Sequence, residues 1–223
     1  QLPTLKASYL RCFLSKPPSN PDCLVMFIRN PHPLLICKLG DDKFFEYNAD
    51  SRGDQIVATT GFNGNFYGMT LSRTIVTARL VDGTFEVQKL IDNDGCPFQV
   101  VSSLRPGAGF VRYYLVESAG ELLYVNEYLS AFFATYFEVV RIDTSGMKYE
   151  KLTNLGERTL FLSHSNGISC SWRESRIRKN CIYFVERYDR NMYVYDLEET
   201  SKTILLPCPI LGSCSDKCWG VWP

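Results

Sequence analysis

The chain has 223 residues, with 24 Lys or Arg and 24 Asp or Glu, so its formal net charge is zero. A balanced charge argues against a general nucleic-acid binder and against a polybasic membrane-surface protein, since both need a basic excess. Apolar runs such as 131–137 are far shorter than the about 20 residues of a membrane-spanning helix. We therefore expect one domain, residues 1–223, without a nucleic-acid or membrane partner.

Short apolar or alternating segments recur along the chain between Gly, Pro, Asn and Asp, and helical periodicity is nearly absent. They predict strands at 9–14, 23–29, 34–39, 44–47, 55–60, 66–71, 75–80, 85–91, 111–117, 121–128, 132–142, 148–152, 159–162, 168–172, 181–185, 192–197 and 203–206. Roughly sixteen strands are too many for one sandwich, whereas groups of four make blades of ~45–55 residues, near known propeller periods. The pattern favours an all-β fold, a β-propeller of four-stranded antiparallel blades, and leaves open whether its N-terminal end is complete.

Residues 155–186 predict three strands joined by a tight turn and a basic loop. The dipeptide Asn166-Gly167 favours a two-residue type I′ turn, because both central residues of that turn need positive φ. Since no helical crossover is predicted, local antiparallel pairing is expected. Two further hairpins are predicted, one at Asp82-Gly83 and one at 118–120.

The basic loop that follows Trp172 is the surface most typical of a binding site. It carries Arg173, Arg176 and Arg178. Trp and Arg are enriched at the residues that dominate protein interfaces. These four residues are therefore the candidate partner-binding residues, and the alternative interpretation is a solvated loop between two strands.

No catalytic or metal-binding pattern stands out. The two His, His32 and His164, have no nucleophile motif near them. A zinc site built from the C-terminal cysteines with Cys170 or Cys181 would need a second Cys pair, and only one Cys-x₃-Cys is present. The segment 92–95 begins like a calcium loop but has no ligating Glu at the required distance, so it predicts a turn. We expect no catalytic residue, no metal and no cofactor, and hence not an enzyme.

Nine Cys are present, and several of them lie within predicted apolar strands, where a thiol behaves as a small hydrophobic side chain. No Asn-x-Ser/Thr sequence occurs. Both features favour reduced thiols in the cytoplasm or nucleus. The chain begins at Gln1 and not at Met, so we expect upstream sequence, and an organellar location would follow if a targeting segment lay there.

Five segments together resemble the plant F-box-associated domain of unknown function known as the KIB-type β-propeller. They are LGERTLFL at 155–162, KNCIYF at 179–184, YLVESAGELL at 114–123, NGNFYG at 63–68 and CWGVWP at 218–223. The resemblance covers nearly the whole chain in the family's order. It implies a propeller that recruits a protein substrate, usually behind an F-box that docks on a Skp-type adaptor of a cullin ubiquitin ligase.

The resemblance implies a non-enzymatic protein-binding module that serves an SCF-type ligase by recognising its substrate. No F-box is present in this chain, so the Skp-type adaptor is expected as a partner only if an F-box lies upstream; the substrate is unknown. Two alternatives stay open. One is a scaffold propeller without an F-box, and the other is an enzyme with carboxylates converging in the propeller channel. The candidate carboxylates for that enzyme are Glu117, Glu121, Glu138 and Asp143.

Overall fold

The computed structural model describes residues 10–29, 34–49, 54–101, 109–131, 133–163, 166–175, 177–186 and 191–207. In these ranges the chain forms seventeen strands, arranged in four sheets, and one four-residue helix. It divides into two compact units. The first is Gln1–Val101 with Thr144–Met147, and the second is Ser102–Asp143 with Lys148–Pro223. No helix in the described part is long and apolar enough to cross a membrane.

The first unit holds two antiparallel sheets of four strands. One has the order β1 (Leu10–Leu14), β2 (Leu24–Arg29), β3 (Leu34–Lys38), β4 (Phe45–Tyr47). The other has the order β5 (Ile56–Phe62), β6 (Asn65–Thr70), β7 (Ile75–Val81), β8 (Thr84–Lys89). Apolar side chains of both sheets pack together around Met26, Ile36 and Phe66, each at most 1% exposed. The core residues of β2, Leu24, Met26 and Ile28, occupy alternate positions, as expected of a strand with one face in this core.

Two-residue turns connect several of these strands. Between β7 and β8, Asp82 and Gly83 have φ of 48° and 77°, and between β5 and β6, Asn63 and Gly64 have φ of 48° and 78°. Positive φ at both central positions defines the type I′ turn, whose twist matches that of the flanking strands. The predicted hairpin at Asp82-Gly83 is therefore confirmed.

The second unit holds the other two sheets. The first is antiparallel in the order β12 (Lys148–Leu152), β11 (Phe133–Asp143), β10 (Glu121–Ser130), β9 (Phe110–Ser118). The second contains β13 (Arg158–Leu162), β14 (Gly167–Ser171), β15 (Cys181–Val185), β16 (Asn191–Asp196) and β17 (Ser201–Pro207), in the order β14-β13-β15-β16-β17. The helix α1 (Trp172–Ser175) follows β14 directly.

Four local predictions for this last sheet are wrong. It has five described strands instead of four, and β13 runs parallel to β15. Because β14 occupies one side of β13, the chain crosses back through α1 and the basic loop and enters β15 in the direction of β13. The predicted basic loop also differs, because its first residues form the helix α1. The prediction of a two-residue turn at Asn166-Gly167 is also wrong, since Gly167 already pairs with Leu162 in the β13–β14 hairpin.

Aromatic and aliphatic side chains between the two sheets form the main core of the second unit. The ring of Phe137 lies 4.8 Å from that of Phe184 and 5.1 Å from that of Tyr195, between centroids. Each such side chain contributes about 1.5–3 kcal/mol when fully buried. This packing fixes the strands from which the polar groups described next project.

Candidate partner-binding surface

Trp172 and Arg173 lie on the surface at the start of α1, both held by Glu157. The backbone N of Trp172 donates to the carbonyl oxygen of Glu157 at 3.0 Å. The guanidinium of Arg173 donates to Glu157 Oε1 at 3.0 Å. The hydrogen bond from Arg173 lowers the pKa of Glu157, and one from the Trp172 side chain acts in the same direction. Glu157 therefore anchors the backbone of Trp172 and the guanidinium of Arg173, and the side chain of Trp172 is 37% exposed.

Arg178 is anchored at the other end of the loop. Its guanidinium lies 2.6 Å from Asp196 Oδ2 and 4.0 Å from a Glu199 oxygen. Its backbone N donates to the Tyr183 hydroxyl at 3.3 Å, and its carbonyl oxygen accepts from Thr159 Oγ1 at 2.7 Å. The Arg178 side chain nevertheless remains 52% exposed. Backbone and side-chain bonds thus hold a half-exposed guanidinium in one place.

Of the four predicted site residues, three lie in the described part of the chain. Arg173 and Arg178 each pair with carboxylates, and Arg176 lies outside the described residues. The strand before Trp172, β14, also exposes an apolar side chain. Ile168 on β14 is 45% exposed and pairs across the sheet with Phe161. The Phe161 ring stacks on that of Tyr183 with centroids 5.0 Å apart.

A shallow depression adjoins these aromatic rings. It is lined by Phe161, Leu162, Tyr183, Phe184, Val185 and Met192. A partly exposed Trp, exposed aliphatic surface and anchored Arg side chains form the mixture typical of residues that dominate protein interfaces. We call Ile168, Trp172, Arg173 and Arg178 the Trp172 surface.

Three of the four carboxylates considered for an enzyme lie near one end of the β9–β12 sheet. These four are called the channel carboxylates. Glu117 accepts a hydrogen bond from the backbone N of Gly120 at 2.9 Å, which closes the turn after β9. Glu121, at the start of β10, lies 2.6 Å from Arg158 and 3.0 Å from Arg141. Burial opposes ionisation of Glu121, but these two hydrogen-bonded cations outweigh it and lower its pKa. Asp143 ends β11 and pairs in register with Lys148.

Glu138 lies five residues before Asp143 on β11, about 17 Å away along a strand. It is buried and accepts hydrogen bonds from Asn126 at 3.1 Å, Tyr128 at 3.2 Å and Lys151 at 2.9 Å. The four channel carboxylates therefore do not all converge at one point. Among the described residues, no group of His, Cys, Asp or Glu has the geometry to hold a metal ion.

Three other buried carboxylates were missed by sequence reasoning, and one of them is Asp196, the partner of Arg178. Glu127 on β10 is 1% exposed and accepts from Tyr114 and Arg112, each at 2.7 Å. Glu186, just after β15, has a 2% exposed side chain and accepts from Lys202 at 2.9 Å. A signal was present for Glu127, because Asn126-Glu127 interrupts the otherwise apolar run 122–129. Glu186 follows an apolar strand, and nothing in its spacing marks it as buried.

The remaining sequence candidates have simple outcomes. Asp92 Oδ1 accepts from the backbone N of Asp94 at 3.0 Å and of Cys96 at 2.9 Å, which confirms a turn. The six described cysteines are free thiols. Both His, the three C-terminal Cys and the segment 218–223 lie outside the described residues. The segment 63–68 forms the β5–β6 turn and most of β6.

Comparison with known proteins bears on the family. A search of curated proteins returned no significant match. The model of the family described as KIB1-4 beta-propeller matches residues 1–196. This match agrees with the four sheets of the described residues, and it confirms the resemblance to KIB-type β-propellers and the predicted all-β propeller fold. The chain therefore belongs to the KIB1-4 beta-propeller family.

Proposed function

We propose that this chain is a non-enzymatic protein-binding propeller that contacts its partner through the Trp172 surface. The observation that carries the proposal is the 37% exposed side chain of Trp172, on a backbone that Glu157 anchors through a hydrogen bond. An aromatic side chain on an anchored backbone loses little conformational entropy on binding, which is why such residues dominate interface energies. Family membership supports a binding role, since many propellers present loops to protein partners.

The finer role that we propose is substrate recognition for an SCF-type ubiquitin ligase in plants, in the cytoplasm or nucleus. The support is the sequence resemblance to F-box-associated propellers. In this role an F-box upstream of Gln1 docks on a Skp-type adaptor, and the propeller holds the substrate. The scaffold without an F-box and the enzyme remain the alternatives.

Two measurements test these two levels separately. Purified Skp-type adaptor is titrated against the complete gene product, including all sequence upstream of Gln1. Saturable binding supports the ligase role, and its absence reduces the claim to a generic binding module.

The Trp172 surface is tested by quantitative capture of partners from plant extract by the chain and by its variants. Trp172→Ala is expected to weaken the binding of the specific partner by about 2 kcal/mol, or roughly thirtyfold. The matched control is Tyr149→Ala on β12, whose ring is 41% exposed, and it should leave capture unchanged. Equal capture by both variants and the parent chain would contradict this placement of the binding surface.

A further inference from the structure

The strand β17 has an edge that lacks a neighbouring strand within the described part of the chain. It ends its sheet and pairs with β16. Two of its consecutive side chains are exposed, Ile204 at 67% and Leu205 at 44%. Since consecutive residues in a strand point to opposite faces, the edge carries an apolar side chain on each face.

Three of the strands that end the other sheets, β4, β8 and β12, are short or carry charges, whereas β5 ends its sheet with seven residues and no charge. β4 has only three residues and includes Glu46. β8 carries Glu86 and Lys89, and β12 carries Lys148, Glu150 and Lys151. Charged side chains and short strands are the usual means of preventing a sheet edge from pairing with another chain. β17 shows neither feature over Thr203, Ile204 and Leu205.

The one charged side chain of β17, that of Lys202, does not protect the edge from pairing. Lys202 Nζ lies 2.9 Å from Glu186 and 3.0 Å from the carbonyl oxygen of Ala134. It also lies 4.9 Å from the centroid of the Tyr193 ring. The cation is thus neutralised by a buried carboxylate, and the edge has no charge free to repel or select a charged segment.

We propose that the edge of β17 accepts an extended, uncharged segment of a protein partner by β-strand addition. Backbone N–H and C=O groups at an edge pair only with an extended chain, and pockets beside the strand select alternate side chains. Exposed apolar groups on both faces favour a segment whose apolar residues contact Ile204 and Leu205. The inference rests on the protein-binding function proposed above and gives it a second contact with a defined class of ligand.

A second copy of this chain is the other occupant to be tested. Pairing two edges of this length would by itself bury much less than the about 1,000 Å² expected of a specific stable interface. The sedimentation measurement described below distinguishes a second copy from a peptide segment.

The test uses the 223-residue chain and a fluorescein-labelled heptapeptide of alternating Thr and Val, followed by fluorescence anisotropy. A second peptide has the same sequence with alternate backbone nitrogens methylated, which removes the hydrogen bonds of strand addition and leaves the side chains. We expect saturable binding of the first peptide and binding weaker by at least about tenfold for the second. Ile204→Lys should weaken the binding of the first peptide by at least about tenfold.

The matched control is Ile91→Lys, at a residue that is 49% exposed and lies outside the named strands, and it should bind like the parent chain. Absence of peptide binding, equal binding of the methylated peptide, or no effect of Ile204→Lys in a folded protein would each overturn the proposal. If thermal unfolding shows Ile204→Lys to be misfolded, the methylated peptide decides alone. Sedimentation showing a dimer that Ile204→Lys dissociates, without peptide binding, would assign the edge to a second copy.

The failure of this inference is distinguishable from failure of the proposed function. Trp172→Ala should bind the peptide like the parent chain, because Trp172 and Ile204 lie on separate elements. Loss of partner capture in Trp172→Ala together with no peptide binding would overturn β-strand addition and leave the Trp172 surface supported.

Discussion

The carboxylate of Glu186 lies 2.9 Å from the ammonium group of Lys202, and the two side chains are 2% and 32% exposed. Glu186 Oε1 also accepts from the backbone N of Ala134 at 3.2 Å. The other oxygen, Oε2, is buried and has no hydrogen-bond partner among the described residues. Lys202 is thus the main compensation for a buried negative charge, and it links β17 to the residue after β15.

Lys202→Met should lower the free energy of unfolding by about 2–4 kcal/mol, because it leaves the carboxylate of Glu186 buried and uncompensated. Urea unfolding of the chain measures the change. The control is Lys38→Met, since the Lys38–Asp22 pair is 38% and 69% exposed, and it should cost less than about 1 kcal/mol.

Adding Glu186→Gln to Lys202→Met should recover part of the loss, because the buried charge is then removed with its partner. If Lys202→Met were no more destabilising than Lys38→Met, the pair would not have the role that its burial indicates.

The buried carboxyl of Glu127 should make the free energy of unfolding depend on pH. Burial raises the pKa of this carboxyl above its ordinary value of 4.5, and the bonds from Arg112 and Tyr114 only partly oppose this. Between 4.5 and the raised pKa, the folded chain binds a proton that the unfolded chain has released. The Glu127 contribution to stability is therefore present below this window and is lost as pH rises through it.

Glu127→Gln has no such titration. Its free energy of unfolding should fall less than that of the parent chain over the same pH window, whatever the absolute stability of the variant. Urea unfolding at a series of pH values gives both curves. Parallel curves would show that the pKa of Glu127 is the same in the folded and unfolded states.

Gly61 on β5 is expected to tolerate no side chain. A Cβ at this position would meet the backbone of β1, at the carbonyl oxygen of Leu14 and 2.8 Å from Ser15 Cα. Backbone atoms cannot move aside as a flexible side chain can, so Gly61→Ala should cost about 3 kcal/mol. Gly83→Ala is the comparison, because a Cβ there meets nothing within 4 Å and only the φ of +77° is unfavourable, at about 1 kcal/mol.

Thermal or urea unfolding of the two glycine variants separates steric overlap from backbone strain. Equal losses would indicate that β1 and β5 can separate slightly without cost.

Thiol reactivity should follow burial and pKa. Cys96 and Cys12 are exposed, whereas Cys181 is buried. Although Cys12 is accessible to solvent, desolvation by the protein around its thiol, with a smaller effect from Cys23, raises its pKa, so less of this thiol is in the reactive thiolate form. With iodoacetamide at neutral pH, we expect Cys96 to react first, Cys12 more slowly and Cys181 only on unfolding.

Peptide mapping by mass spectrometry after timed quenching gives the three labelling rates. Rapid labelling of Cys181 in the folded chain would contradict its position in the strand core.

Local sequence signals predicted much of this fold because they depend on backbone geometry. At Asp82-Gly83, the residues themselves favour the positive φ that a two-residue turn requires. The alternation in β14 and the apolar run in β15 likewise predicted strands where strands occur. The parallel pairing of β13 with β15 could not be predicted in this way, since it depends on which side of β13 was already occupied by β14.

The candidate site was predicted less completely. Trp172 and Arg178 were identified from residue type, but the acids that hold them, Glu157 and Asp196, are distant in sequence and carry no motif. Glu186 and Lys202 are 16 residues apart, and their contact requires β16 to lie between their strands.

The sequence by itself determined that the chain is all-β, where most strands begin and end, and which family it belongs to, because alternation, turn residues and motif order are properties of neighbouring residues. Only the tertiary structure decided which strands pair, which carboxylates are buried and which basic side chains are neutralised. The physical reason is that burial and ion pairing depend on distances between residues far apart in the chain, and packing of whole sheets sets those distances.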